Sequence, residues 1–233
     1  MLLLLALAAF GLRGERGHRV LREAVRVYYA MVGDTGGPLT VVDRGTWSEI
    51  EPGLELHRLV VTRPKNLSDV TLVAVRIDPA RFALVVREVG SQPAAVRALA
   101  EAEGAAVAIN GGYFDPSGQP LGLLISDGRK IAGRLATSPG RGVVGVRAGV
   151  PFVDDADGLD LTGVTQALQT TPVLVRDGAE VVGFTEPWRV DRRAAVCVDS
   201  AGRVIFAATD TLLNGLSFSE TAHLMARSID RGG

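Results

Sequence analysis

Short apolar runs cut by Asp-Pro and Asx-Gly turns constrain this chain more than any other feature, because such a pattern suits a sheet far better than a helical bundle. Leu56-His57-Arg58-Leu59-Val60-Val61, Val70 through Ile77, and Phe82 through Val86 combine alternation with β-branching, which predicts strands. Asp78-Pro79 separates the second run from the third and reads as a turn, since proline fixes φ and biases the residue before it to extended geometry. Ala105 through Ile109 reads as a further, buried strand. Beyond it, Leu121 to Ile125, Val143 to Val146, Val173 to Val175, Ala194 to Val198 and Val204 to Ala208 are short apolar runs, punctuated by Asp127-Gly128, Asp177-Gly178 and Ala201-Gly202. Two stretches read as helix. Ala94 to Glu103 has Ser91 as a cap, Pro93 in its first turn and Gly104 as its stop. Leu216 to Ile229 is capped by Ser217 or Ser219, with Ala222, Met225, Ala226 and Ile229 at helical spacing. The prediction is an α+β fold: a mixed, strand-rich sheet with flanking helices in a single main domain.

Charge and composition narrow the function. Of 233 residues 47% are hydrophobic and the formal net charge is −1, so the chain can bury a full core and has no basic field for nucleic acid. His18, His57 and His223 lie far apart without a second ligand at metal spacing, so neither metal nor cofactor is expected. The lone Cys197 sits in Ala194-Ala195-Val196-Cys197-Val198, where it reads as a small buried hydrophobe. At the amino terminus, Leu2 to Leu12 is too short to span a bilayer as a helix but suits the apolar stretch of a secretory signal. Arg13, Arg16, Arg19, Arg22 and Arg26 follow that run instead of preceding it, so an uncleaved anchor, or a plain amphipathic helix through Met31, stands beside the signal reading. Residues 1–32 are taken as signal or anchor, 33–38 as linker and 39–233 as the folded domain. The expected location is exported, periplasmic or membrane-anchored through Leu2–Leu12.

Asn110-Gly111-Gly112-Tyr113-Phe114-Asp115 follows the predicted strand at Ala105–Ile109 directly. Paired glycines let a backbone approach a ligand, and Asn110 and Asp115 bring an amide and a carboxylate to the same mouth. Asn-Gly also predicts a plain tight hairpin, and the hexapeptide by itself fits both. Polar segments recur between the later strands: Pro120 and Gly122 before an apolar run, Gln166 ahead of Pro172-Val173-Leu174-Val175, and Arg193 opening the run that ends at Asp199. Trp47 and Trp188 read either as groove-lining indoles or as packing.

Taken in order, Asn-Gly-Gly-Tyr-Phe-Asp, Pro-x-Gly, Gln-x5-Pro-x-Leu with a later Asp-Gly, and Arg-x-Ala-x3-Asp resemble the phosphodiester glycosidase family, the domain of the lysosomal uncovering enzyme. The similarity runs from about Thr71 to the C-terminus. It implies an α+β domain that binds a sugar joined to phosphate and hydrolyses the bond at the anomeric carbon, in envelope or extracellular glycans for a bacterial member. It carries Asn110, Gly111, Gly112, Tyr113, Phe114 and Gln166 over as substrate-binding residues, and Asp115 and Arg193 as catalytic ones. The family pattern continues past the last helix with a strand ending in Asp-Gly-Gly and Ser, which Ser228 to Gly233 does not match. The chain is therefore read as a fragment, a frameshifted product or a degenerate member.

The chemistry assigns the roles. A phosphate monoester is a good leaving group, so strong general-acid help is less necessary. The reaction asks for a cation on the phosphate, a carboxylate to activate water or stabilise the sugar cation, and donors for the hydroxyls. Arg193 suits the first because its planar fork meets two oxygens; Asp115 suits the second; Asn110 with the Gly111 and Gly112 amides suits the third; Tyr113 or Phe114 can stack on a sugar face. A non-catalytic glycan-binding protein of the envelope is the competing reading, and a glycosidase on unphosphorylated glycans a third.

Overall fold

The computed structural model describes residues 38–63, 69–88, 95–133, 140–181, 183–184, 189–211 and 214–229. The expectations for residues 1–32, the linker at 33–37, Ser91, Pro93 and Trp188 fall outside them.

Two antiparallel sheets organise the described chain. The first holds β1 (Thr40–Asp43), β2 (Ser48–Glu51), β3 (Leu54–Thr62), β4 (Val70–Ile77), β12 (Ala194–Val198) and β13 (Val204–Asp210) in the order β1-β3-β4-β13-β12, with β2 also on β3. The second holds β5 (Leu124–Ser126), β6 (Arg129–Ala132), β7 (Gly142–Arg147), β8 (Val150–Asp155) and β9 (Val164–Thr170) in the order β6-β5-β9-β7-β8. β10 (Val175–Arg176) and β11 (Ala179–Glu180) form a small hairpin. Every strand pair among the described residues is antiparallel, so the sheets are not mixed in direction. Helix is limited to α1 (Val96–Glu103) and α2 (Phe218–Leu224), the latter continued by a π-helical turn at Met225–Ile229.

The first sheet follows directly from sequence pattern. Leu59, Val61, Val70, Leu72, Ala74, Ile205 and Ala207 bury one face against Leu216, Leu224, Met225 and Ile229 of the C-terminal helical segment. Each such fully buried Leu or Ile contributes about 1.5–3 kcal/mol. Cys197 and Trp47 pack at the edge of this cluster, and the Trp47 indole also carries the Arg76 guanidinium at 4.2 Å from its ring centre, so it is not a groove wall. Helix α2 begins where the sequence says: the Ser217 hydroxyl accepts from the Glu220 amide while the Glu220 carboxylate accepts from the Ser217 amide, which settles the cap on Ser217. Helix α1 ends at Gly104 in the left-handed region, but its N-cap is Ala95 with no side-chain cap bond.

Two expected strands are not strands. Phe82–Val86 keeps its alternation, with Phe82 and Leu84 packed on the cluster of Leu54, Ile77 and Val204 and with Val86 buried, yet no neighbouring strand pairs with it. Side chains take the place of the ladder: the Val86 amide donates to Gln166 Oε1 at 3.0 Å, and the Val86 carbonyl accepts from the Ser126 hydroxyl at 2.8 Å. Ala105–Ile109 is neither paired nor buried; Ala105, Ala106 and Ala108 are exposed and Val107 and Ile109 only half-buried.

Candidate active site

The Asn110–Asp115 segment crosses β9 and turns back on itself. An isolated bridge joins Phe114 to Pro120, and the Leu121 amide donates to the Tyr113 carbonyl at 2.9 Å, so the hexapeptide's end is one arm of a tight hairpin. Asp115 builds its tip. Its Oδ1 accepts from the Ser117 amide at 2.8 Å, the Ser117 hydroxyl at 2.6 Å and the Gln119 amide at 2.9 Å. The Ser117 hydroxyl first, then the Gln119 amide, holds the Asp115 carboxyl below its ordinary range.

The glycine pair is required by β9. A Cβ on Gly112 would stand 2.8 Å from the Gln169 carbonyl oxygen and one on Gly111 2.9 Å from Leu168 Cδ2, so both residues let the loop lie directly on that strand. Gly122 meets the Gln169 side chain in the same way. The Tyr113 hydroxyl donates to the Thr171 carbonyl at 3.0 Å, tying the hairpin to the chain that leaves β9. With that bond the Tyr113 ring is fixed though 53% exposed, while Phe114 is 65% exposed and Leu121 is exposed beside them. Asn110 is exposed and its side chain accepts and donates no hydrogen bond among the described residues.

Gln166 and Arg193 are held elsewhere. Gln166, buried on β9, donates from Nε2 to Asp127 Oδ1 at 2.7 Å and accepts from Val86, and Asp127 also receives Arg87 Nη1 at 3.1 Å. Asp127, read as a hairpin residue and found in the β5–β6 turn with φ 50°, is thus also a docking point; its acidity ahead of Gly128 gave no sign of that. Arg193 lies on the first sheet's side. Its Nε donates to the Leu216 carbonyl at 2.8 Å, its Nη2 to the Arg189 carbonyl at 2.9 Å, and its guanidinium lies 3.9 Å from the centre of the Phe218 ring. The structure therefore brings Asn110, Gly111, Gly112, Tyr113, Phe114 and Asp115 together on one hairpin over β9. It ties Gln166 to the 82–88 segment and Arg193 to the start of α2, with no hydrogen bond from either to the hairpin among the described residues. The residues sequence reasoning missed are Thr171, Ser117, Gln119 and Gln169, the partners that shape the hairpin; Ser-x-Gln after Asp-Pro was the one available sign, as an Asx turn.

Among the described residues no group of His, Cys, Asp or Glu is arranged to hold a metal, and no helix is long and apolar enough to cross a membrane. A family profile described as phosphodiester glycosidase matches residues 103–230, which takes in the hairpin, β5 through β13 and the C-terminal helix. No curated protein matches the chain. Among solved structures, a hypothetical protein from Synechocystis is similar in fold, with a TM-score of 0.51 at 15% identity over 85% of this chain. The match spans 57% of that protein's length.

Proposed function

Because this chain belongs to the phosphodiester glycosidase family, we propose that it is a hydrolase that splits the bond between a sugar's anomeric carbon and a phosphate oxygen in envelope or extracellular glycan. Water supplies the new hydroxyl at the anomeric carbon, and the phosphate leaves as the monoester of the remaining alcohol. The observation that carries this reading is the Asn110–Asp115 hairpin itself, inside the matched region, which exposes two aromatic faces beside a carboxamide and a carboxylate. An apolar ring flanked by hydrogen-bonding groups is the surface a pyranose recognises, with its C–H face on the ring and its hydroxyls on the polar groups.

In this reading Asp115 works with both oxygens. Oδ1 is taken by Ser117 and Gln119, which fixes the carboxylate's direction, and Oδ2 faces the oxocarbenium-like charge as it develops. The lowered pKa keeps the group ionised. Asn110 binds a sugar hydroxyl. Arg193 takes the phosphate in a fixed orientation, and Gln166, bound to Asp127 and Val86, acts on the hairpin from behind through β9. Export to the periplasm or cell surface, with attachment through Leu2–Leu12, belongs to the same proposal.

A chromogenic sugar 1-phosphodiester tests it. Release of free sugar, lost with Asp115→Asn and with Arg193→Lys in folded protein, supports hydrolysis at the phosphate-linked carbon. Binding of the sugar phosphate without turnover favours the second reading, a glycan-binding protein of the envelope, which the commitment of Arg193 to the Leu216 and Arg189 carbonyls supports.

A further inference from the structure

Between β1 and β2 the chain crosses β3 as a close-fitting strap. Gly45 stands at φ 58°, and a Cβ there would lie 2.0 Å from the Arg58 carbonyl oxygen, so the strap's backbone rests directly on β3. The Gly45 amide donates to Asp43 Oδ1 at 2.9 Å, which shapes the turn. Two residues further on, the Trp47 indole comes down beside His57 of β3, with 5.1 Å between the ring centres and 33° between their planes. His57 is 5% exposed. Its Nδ1 and the Trp47 Nε1 are both buried, and among the described residues neither has a hydrogen-bond partner. A neutral imidazole fits this arrangement better than a charged one. Protonation makes Nδ1 a donor with no acceptor to meet it, and the indole beside it offers only a donor of its own. From β4, the Arg76 guanidinium already lies 4.2 Å from the centre of the same indole, and it is held there by Glu55, two residues before His57 on β3. From the end of β1, Asp43 bears on the ring through its charge, and from the strap Arg44 does so through its backbone. Burial is the first cause that holds His57 below its ordinary range, and Arg76 adds to it; the Arg44 backbone and Asp43 act the other way without overcoming them.

We infer that the strap carrying Trp47 is an acid-released latch, closed over a neutral His57 and lifted from β3 when that ring takes up a proton. Lifting gives the imidazolium water for its Nδ1 proton and lets the indole carry Arg76 away from a second cation. The closed form favours the neutral ring, so the latch is fully held above the ordinary histidine pKa of about 6.5. Below it the open form binds more protons. Each pH unit from there down to the lowered pKa then shifts the balance about tenfold toward opening. The moving part is small. Asp43 is paired with Val60 and Ser48 with Leu56, so only Arg44 to Trp47 need to lift. β3 keeps its pairing with β4 from Leu54 to Val61, so the sheet survives the release. The latch does not depend on hydrolysis and involves none of the residues assigned to the sugar or the phosphate.

Fluorescence of the full chain across pH tests it, because Trp188→Phe leaves Trp47 as the only indole. The expected result is a reversible red shift with its midpoint below about pH 6.5, while the far-ultraviolet spectrum stays constant. His57→Gln keeps a donor for the Arg44 backbone and takes up no proton, so its emission should hold steady through the same window. Should either variant fail to fold, NMR of the unmodified chain answers instead. There the His57 ring signals should titrate below the ordinary histidine range, in step with faster exchange of the Trp47 Nε1 proton. Emission that stays constant down to the pH of unfolding overturns the inference. So does a red shift that persists in His57→Gln, since a carboxylate such as Asp43 would then be the trigger. A shift that coincides with loss of the far-ultraviolet signal overturns it as unfolding of the whole domain, and titration of His57 with no response at Trp47 overturns it too.

Discussion

Arg193 and Phe218 form a cation–π pair at 3.9 Å, and the same guanidinium donates to the Leu216 and Arg189 carbonyls on either side of it. One side chain thereby holds the 189–193 segment to the start of α2. Arg193→Ala is expected to lower stability by about 2 kcal/mol, since it removes two hydrogen bonds to carbonyls and uncovers an aromatic face. Arg193→Lys keeps the charge but not the fork and should cost about 1–2 kcal/mol. Urea unfolding at neutral pH measures both, and a loss below about 0.5 kcal/mol for the alanine variant would show that the arginine is not a fastener and return it wholly to the phosphate.

Asp115 separates two roles by one isostere. Asparagine keeps an acceptor oxygen for Ser117 and Gln119, so Asp115→Asn should retain the hairpin and lose little stability, whereas Asp115→Ala should loosen it. If the carboxylate also stabilises the sugar cation, Asp115→Asn lowers kcat/KM by about 10²–10⁴ all the same; activity within threefold of the unmodified chain would reduce Asp115 to a turn former. The acid limb follows from the depressed pKa, whose first cause is the Ser117 hydroxyl. A folded-state pKa below the unfolded one contributes stability that is present at pH above the unfolded pKa and lost as pH falls through the folded one. The hairpin signals, followed by NMR on acidification, should stay unchanged through pH 5 and shift only below the ordinary aspartate range.

The same residues show how much of the fold and site could be read beforehand. β4 runs from Val70 to Ile77 as its apolar run predicts, and β3 overlaps its predicted run closely, because both are central strands whose neighbours supply every ladder bond. Phe82–Val86 and Ala105–Ile109 have equally good strand sequences and failed for one reason: a strand needs a partner backbone, and a single sequence does not say where that backbone is. A hairpin was expected at Asn110-Gly111, but the turn forms at Asp115–Gln119, with its bonds at Tyr113, Phe114 and Asp115. The surroundings of Gln166 and Arg193 were not legible, since Val86, Asp127, Leu216 and Phe218 reach them only through the packing of the two sheets and α2.

Gly112 gives the hairpin's seat on β9 a direct test. A methyl group there would stand 2.8 Å from the Gln169 carbonyl oxygen, which belongs to a strand paired on both sides and cannot retreat. Gly111→Ala meets the end of the Leu168 side chain, which can rotate away. Gly112→Ala should therefore cost about 1–3 kcal/mol and Gly111→Ala clearly less. Thermal melts of the two variants side by side decide it; equal shifts would mean that the loop yields and does not rest on β9.

The buried Arg63 and the half-buried Glu220 couple the end of β3 to the C-terminal helix. Arg63 Nη2 donates to Glu220 Oε2 at 2.6 Å and to the Gly215 carbonyl at 2.9 Å, while the Arg63 side chain has no solvent exposure and Glu220 retains 14%. Glu220 serves the capping box at the same time. Removing the carboxylate charge takes from the buried Arg63 guanidinium the ion pair it makes with Glu220, so Glu220→Gln should cost about 3 kcal/mol. Arg63→Met fills the space with an apolar stem and leaves Glu220 some access to water, which predicts a smaller loss. In the double variant the glutamine can still cap α2 and no buried charge remains, so it should be more stable than Glu220→Gln alone by at least about 1 kcal/mol. Guanidinium unfolding of the four proteins closes the cycle. Simple addition of the single losses would mean that the pair is not coupled and that α2 is held by Leu216, Leu224, Met225 and Ile229 alone.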